Sequence, residues 1–303
     1  MSQSVSTLPG SPLDGAPEMR VRAARSYLLF VRAGEHSLHR RLIAESPERN
    51  WDCCVSWYVP PPDERIAEYY SSGGFNKLDG FLEFWNHRPQ PWPYRFVLIL
   101  DDDLYLRPGE LSYFFELCER HGTYLSQPAL RWFTHTTLNI FVRNPVCLLR
   151  RVSTVEVMAP CFSTAALEQL IHTFAWTRAT WGTDWAWACL LEGNHALHVV
   201  DAVAMEHTRT GDGRPTAFYK RLQAMGIDPA QELDEMRRAF PGFGGRRVLR
   251  DGHVFRSGVP RRVAPWLMVL FEKLKVIVRM RKQLLRTWRS LRARLYDRLI
   301  GAR

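Results

Sequence analysis

From about residue 25 to residue 210, short apolar runs alternate with stretches of helical periodicity. Residues 26–31 read as a strand, 36–44 as a helix and 53–59 as a second strand. Past Pro60-Pro61-Pro62 and Gly73-Gly74, residues 78–85 return to helical spacing. The block Phe96-Val97-Leu98-Ile99-Leu100 carries nothing polar on either face, the pattern of a central strand covered on both sides. Residues 108–120 form a predicted helix, with Pro108 near its first turn and Gly122 just past its end. A strand over 154–159 follows, then a helix over 163–175 opened by Ser163 as N-cap. A short helix from Thr183 stops at Gly193, and residues 198–205 are strand-like. This alternation predicts an α/β layer fold with a mostly parallel central sheet flanked by helices.

Charge changes the picture at one end only. The chain of 303 residues has a net charge of +10. Residues 261–303 hold 13 Lys/Arg against 2 Asp/Glu, so residues 1–260 balance at −1. A whole-protein nucleic-acid reading loses its force there, and no nucleic-acid partner is expected. Within the basic segment, Leu270, Leu274, Ile277, Leu284, Trp288, Leu291 and Leu295 recur at steps of 3, 4 and 7. A basic amphipathic helix of this kind fits an anionic membrane surface, contacted through residues 265–303. It also fits a coiled-coil partner helix or one packed on the body. The expected organisation is a disordered leader over 1–22, a catalytic domain over 23–250 and a basic helical tail over 251–303. The six cysteines show no C-x-x-C spacing and read as buried reduced thiols. With no apolar run near the roughly 20 residues that span a bilayer, the expected location is cytoplasmic, peripheral at the inner face of the membrane.

Three features carry candidate chemistry. Asp101-Asp102-Asp103 directly follows the buried strand, where open α/β sheets bind ligands beyond their carboxyl ends. Three adjacent carboxylates repel one another, and Mn²⁺ or Mg²⁺ would relieve that repulsion while bridging to phosphates. In extended backbone Asp101 and Asp103 share a side and Asp102 opposes them. The same acids could instead serve the N-terminus of the following helix. Second, Asp184 stands among Trp181, Trp185 and Trp187, either as a general base ringed by indoles that stack on a sugar or as a carboxylate favouring its helix start. Third, a strand ends in Glu206 and His207, followed by a Gly-containing loop with Arg209 and Arg214. Those guanidinium groups suit a lid over a diphosphate, or a solvated loop.

Taken in order, Leu100-Asp101-Asp102-Asp103-Leu104, Leu125 to Leu130, Glu156 to Ser163, Trp181-Gly182-Thr183-Asp184 and Val200-Asp201 through His207 resemble an uncharacterised family. In plants it is labelled lysine-ketoglutarate-reductase trans-splicing related. The resemblance covers roughly residues 25–215. The layout is also similar to nucleotide-sugar glycosyltransferases of the GT-A (Rossmann-like) fold. That resemblance implies a metal and nucleotide diphosphate on Asp101 and Asp103, a metal-completing His207, a catalytic Asp184 and a nucleotide contact from Lys77. Asp102 is grouped with the nucleotide-binding residues. One departure is Thr183, where the family's acidic motif usually has Glu before the Asp. The expectation is therefore a metal-dependent, inverting glycosyltransferase moving a sugar from a nucleotide-sugar to a hydroxyl of a cell-surface glycan or glycolipid. The competing expectation is a non-catalytic nucleotide-binding adaptor tethered to the membrane by its basic tail.

Overall fold

A computed structural model describes residues 25–58, 65–134, 136, 138–191, 193, 195–208, 217–244 and 252–281. The leader over 1–22, Arg209, Arg214 and the end of the basic segment lie outside the described residues. Among the described residues, ten strands form the sheet: β1 (Tyr27–Ala33), β2 (Trp51–Trp57), β3 (Tyr69–Ser71), β4 (Phe96–Asp101), β5 (Leu104–Tyr105), β6 (Leu125–Leu130), β7 (Cys147–Val152), β8 (Cys161–Ser163), β9 (Leu197–His207) and β10 (Val254–Phe255). The helices are α1 (His39–Ala44), α2 (Lys77–Asn86), α3 (Glu110–Arg120), α4 (Thr164–Leu170), α5 (Thr183–Leu191), α6 (Ala217–Ala224) and α7 (Pro229–Ala239). A last helix, α8, runs from 264 through 281, where the description ends.

The spatial order is β10-β7-β9-β6-β8-β4-β1-β2-β3, with β5 paired to β9. β3, β2, β1 and β4 are mutually parallel, as are β6 and β9. The short β8 is antiparallel to both β4 and β6, so the two parallel groups point the same way. β7 runs against β9. The architecture is thus mixed α/β with a largely parallel central sheet. Every residue of β1 and β2 is buried, because helices cover both faces. Phe30 meets Phe81 of α2 edge-on at 5.1 Å, whereas Tyr27 stacks on Phe115 of α3 at 5.0 Å. Phe30 and Tyr27 are three apart on a strand of period 2, so α2 and α3 lie on opposite faces. Ser163 caps α4 as expected, accepting a hydrogen bond from the Ala166 amide at 3.2 Å. All six cysteines are free.

One expectation differs. Residues 154–159 are not a strand. Their backbone polar groups serve side chains and the neighbouring strand, with the Glu156 amide bound by Gln127 and the Met158 carbonyl by the Asp101 amide. The strand is β7, immediately before, where Arg150 and Arg151 interrupt the apolar pattern. The described part of the basic segment is packed on the body, one of the placements its helical pattern allows. Its helix α8 packs on β7 and β9 through Glu272, which meets the buried Arg150 at 3.2 Å and accepts from Asn144 at 2.8 Å. Arg150 is in turn paired with the fully buried Asp201 at 2.6 Å. Among the described residues, no helix is long and apolar enough to cross a membrane.

Candidate functional site

The carboxyl ends of β1, β2, β4, β6 and β9 share one edge of the sheet, and the acidic triplet sits at its centre. The β1–β4 register places Arg32 opposite Asp101, and both face α2. Arg32 is buried inside an otherwise apolar strand. Its guanidinium donates to Ser56 Oγ at 2.6 Å and to the carbonyls of Gly73 and Gly74, and it lies 4.5 Å from the centre of the Tyr58 ring. It thereby fixes the turn that leads into α2. Gly74 there has φ of 69°, and a Cβ would come within 2.4 Å of the Gly80 amide nitrogen, so glycine is required.

The turn delivers Lys77. Its ammonium is 2.6 Å from Asp101 Oδ1 and donates to the carbonyls of Val157 at 2.5 Å and Met158 at 3.0 Å. An ammonium has three donors, and these contacts account for all of them. Lys77 therefore ties Asp101 to the 157–158 backbone. Burial raises the Asp101 carboxyl above its ordinary range, Lys77 pulls it back, and Asp103 and Asp102 push it further up. Burial also raises the Tyr58 phenol, and Asp101 adds to that.

The three carboxylates do not alternate. The backbone turns at Asp102 and Asp103, which sends them in three directions. Asp102 faces the β1–α1 loop, accepting from the Gly34 amide at 2.8 Å, while its carbonyl accepts from Leu38 at 2.8 Å. Asp103 meets the end of β9. The β5–β9 register sets Leu104 opposite His207, and His207 Nε2 stands 3.2 Å from Asp103 Oδ2. Thr208 reinforces the junction, donating from its amide at 2.9 Å and its hydroxyl at 2.8 Å to the Asp103 carbonyl.

Asp184 lies in the first turn of α5 and is nearly buried. It connects to the triplet through hydrogen bonds. Thr154 donates to the Asp184 carbonyl at 3.4 Å, and the same 154–158 segment supplies the carbonyls that hold Lys77. From the other side, Asn76 caps α2 and donates to the carbonyls of Thr177 and Arg178, both at 3.1 Å, in the loop before α5. The three indoles divide. Trp181 is exposed, with its Nε1 donating to Tyr219 at 3.1 Å, and Trp185 is half-buried. Trp187 is a core residue, packed on Phe162 at 5.1 Å with its Nε1 donating to Thr173 at 2.8 Å. Its ring has no open face for a sugar, because it is fully enclosed in the core.

Sequence reasoning missed Arg32, Tyr58, Asn76 and Thr208. Only Arg32 left a signal, as a charge next to a run that is otherwise wholly apolar.

No family model matches the chain, and no curated protein matches it. Among solved structures it is similar to S. aureus TarS 1-349 in complex with UDP-GlcNAc, at 12% identity over 72% of each chain with a TM-score of 0.42. A likeness that loose carries no argument about the site.

Proposed function

We propose that this protein is a metal-dependent glycosyltransferase of the GT-A kind, using a nucleotide-sugar donor. The observation that carries the reading is the meeting of Asp103 and His207 at the carboxyl end of the central strands, beside the Lys77–Asp101 ion pair. Their 3.2 Å separation suits neighbouring ligands of one Mn²⁺ or Mg²⁺, since two atoms each about 2.1 Å from a cation at right angles lie about 3 Å apart. Among the described residues, no three of His, Cys, Asp and Glu gather into a metal-holding group. On this reading Asp103 and His207 would each supply a ligand, and phosphate oxygens and water would complete the shell, as is common for Mg²⁺. Asp101, implied as a third ligand, is engaged by Lys77 and adds negative potential at short range.

Bound there, the cation would neutralise the charge developing on the departing nucleoside diphosphate. The chain's own residues do the rest. Asp103 and His207 orient the diphosphate end of the donor over the sheet edge. Arg209, next to Thr208 in sequence, and Arg214, six residues beyond it, would supply donors to phosphate oxygens. Asp184 accepts the proton of the acceptor hydroxyl as its oxygen attacks the anomeric carbon, and Trp181 and Trp185 offer faces for a sugar ring. The acceptor is a glycan or glycolipid destined for the cell surface, met at the cytoplasmic face of the membrane.

The test is calorimetric titration of nucleoside diphosphates with and without Mn²⁺. Asp103→Asn and His207→Ala should each abolish the Mn²⁺-dependent gain in affinity while leaving the melting transition in place. Affinity and metal dependence unchanged in both variants would refute the assignment.

A further inference from the structure

Helix α8 is apolar on two faces, and the body uses only one. The docked face carries Ala264, Phe271, Glu272 and Lys275. Phe271 meets Trp132 edge-on at 6.2 Å, and Asn144 donates to the Met268 carbonyl at 3.2 Å as well as to Glu272. Arg279 adds a contact to Asn139 at 3.4 Å. These bonds fix the rotation of the helix about its own axis. On the opposite side stand Trp266, Val269, Leu270, Val276, Ile277 and Met280, with exposures between 47% and 79%. At ~100° per residue they fall within an arc of about 120°. Among the described residues of the helix, Lys273 is the charged residue inside that arc; Arg281 flanks it, and the exposed Arg261 and Arg262 stand just before the helix starts.

Charge selects the occupant of this stripe. Residues 261–303 carry 13 bases against 2 acids, so a second copy of the helix would be repelled. Nucleic acid would answer the charge and leave six large apolar side chains in water. An anionic bilayer answers both, with acyl chains under the stripe and lipid phosphates against the bases.

We propose that α8 is a fixed membrane-contact face, in which Trp266, Val269, Leu270, Val276, Ile277 and Met280 enter an anionic bilayer and Arg261, Arg262, Lys273 and Arg281 meet its headgroups. This deepens the reading of a membrane-borne acceptor. The contact is part of the sheet domain, welded to it through Glu272 and Arg150, so it sets the orientation of the sheet relative to the lipid surface. A free tail would tether without orienting.

The experiment is co-sedimentation of the full-length protein with vesicles of phosphatidylglycerol and phosphatidylcholine, and with phosphatidylcholine alone. Binding is expected on the anionic vesicles, with a fraction that survives high salt. Leu270→Glu with Ile277→Glu should weaken it at least about tenfold, and Leu270→Ser with Ile277→Ser by less. Both sites are exposed, so the melting transition should not move. Arg261→Gln and Arg262→Gln should each weaken binding about fivefold. Wild-type binding in the Glu variant, or no binding by the parent protein, overturns the proposal. So does a lipid-free dimer that the Glu variant dissociates, or tight binding of duplex DNA indifferent to the stripe. Donor binding measured without lipid keeps the two readings apart. A protein that sediments through the stripe yet takes no nucleotide-sugar would sink the glycosyltransferase reading alone, and the converse would sink only the membrane face.

Discussion

Replacing Lys275 by methionine should make the folded protein more stable at neutral pH, although it removes a residue with an ion-pair partner. Lys275 is almost fully buried under α8, with its ammonium 2.6 Å from Glu272. Burial, and then the neighbouring Arg150, lower its pKa from 10.5 to about 8, more than Glu272 and Asp201 raise it. Between those values the unfolded chain holds a proton that the folded chain has lost, so stability rises with pH across that window and falls as pH drops through about 8. At about 1.4 kcal/mol for each pH unit, the charged lysine costs the native state about 3 kcal/mol at pH 7. Methionine keeps most of the stem's packing and removes the charge. Glu272 is not stranded, because Arg150 and Asn144 still reach it. Removing an unfavourably buried charge is then a net gain. Urea denaturation should show the variant more stable by about 1–3 kcal/mol at pH 7, the difference shrinking as pH approaches 10. A variant less stable than its parent at pH 7 would show that the Lys275–Glu272 attraction exceeds the desolvation cost, and the reasoning would fail.

Asp184→Asn should leave donor affinity intact and lower transfer about 10²–10⁴-fold, read from steady-state rates; early melting in its place would assign the residue to the α5 start. Lys77→Met should lower the urea midpoint by a margin worth about 2–3 kcal/mol, less than for a fully enclosed pair because Asp101 keeps 42% of its side-chain surface exposed. Stability within about 0.5 kcal/mol of the parent would mean that Lys77 does not hold the triplet.

The central strands were legible because β1, β2 and β4 are covered on both faces and so are dominated by apolar residues, broken only by Arg32 in β1, Asp52 and Ser56 in β2 and the terminal Asp101 in β4. β6 was harder to read as a strand, since Pro128 sits inside it. The register against β9 slips between Pro128 and Ala129, and that irregularity accommodates the missing amide donor. β7 was hidden by Arg150, which looks like a surface charge and is fully enclosed with Asp201. The acidic triplet was visible as a cluster, but the directions of its carboxylates were not, because they depend on a turn after β4. The pairing of Asp103 with His207 joins residues 104 apart through a two-residue strand, and no local pattern encodes such a register. Likewise the helical pattern of the basic segment was evident, while its docking rests on Asn144, Arg150 and Glu272, far apart in the chain.

The most direct test is turnover. Full-length protein would be incubated with a panel of nucleotide-sugars, with Mn²⁺, with Mg²⁺ and with chelator, and release of the nucleoside diphosphate followed. The account expects at least one donor to be consumed only when a divalent cation is present, and the activity to disappear in Asp103→Asn. A folded protein that neither binds nor consumes any donor with either metal would contradict it.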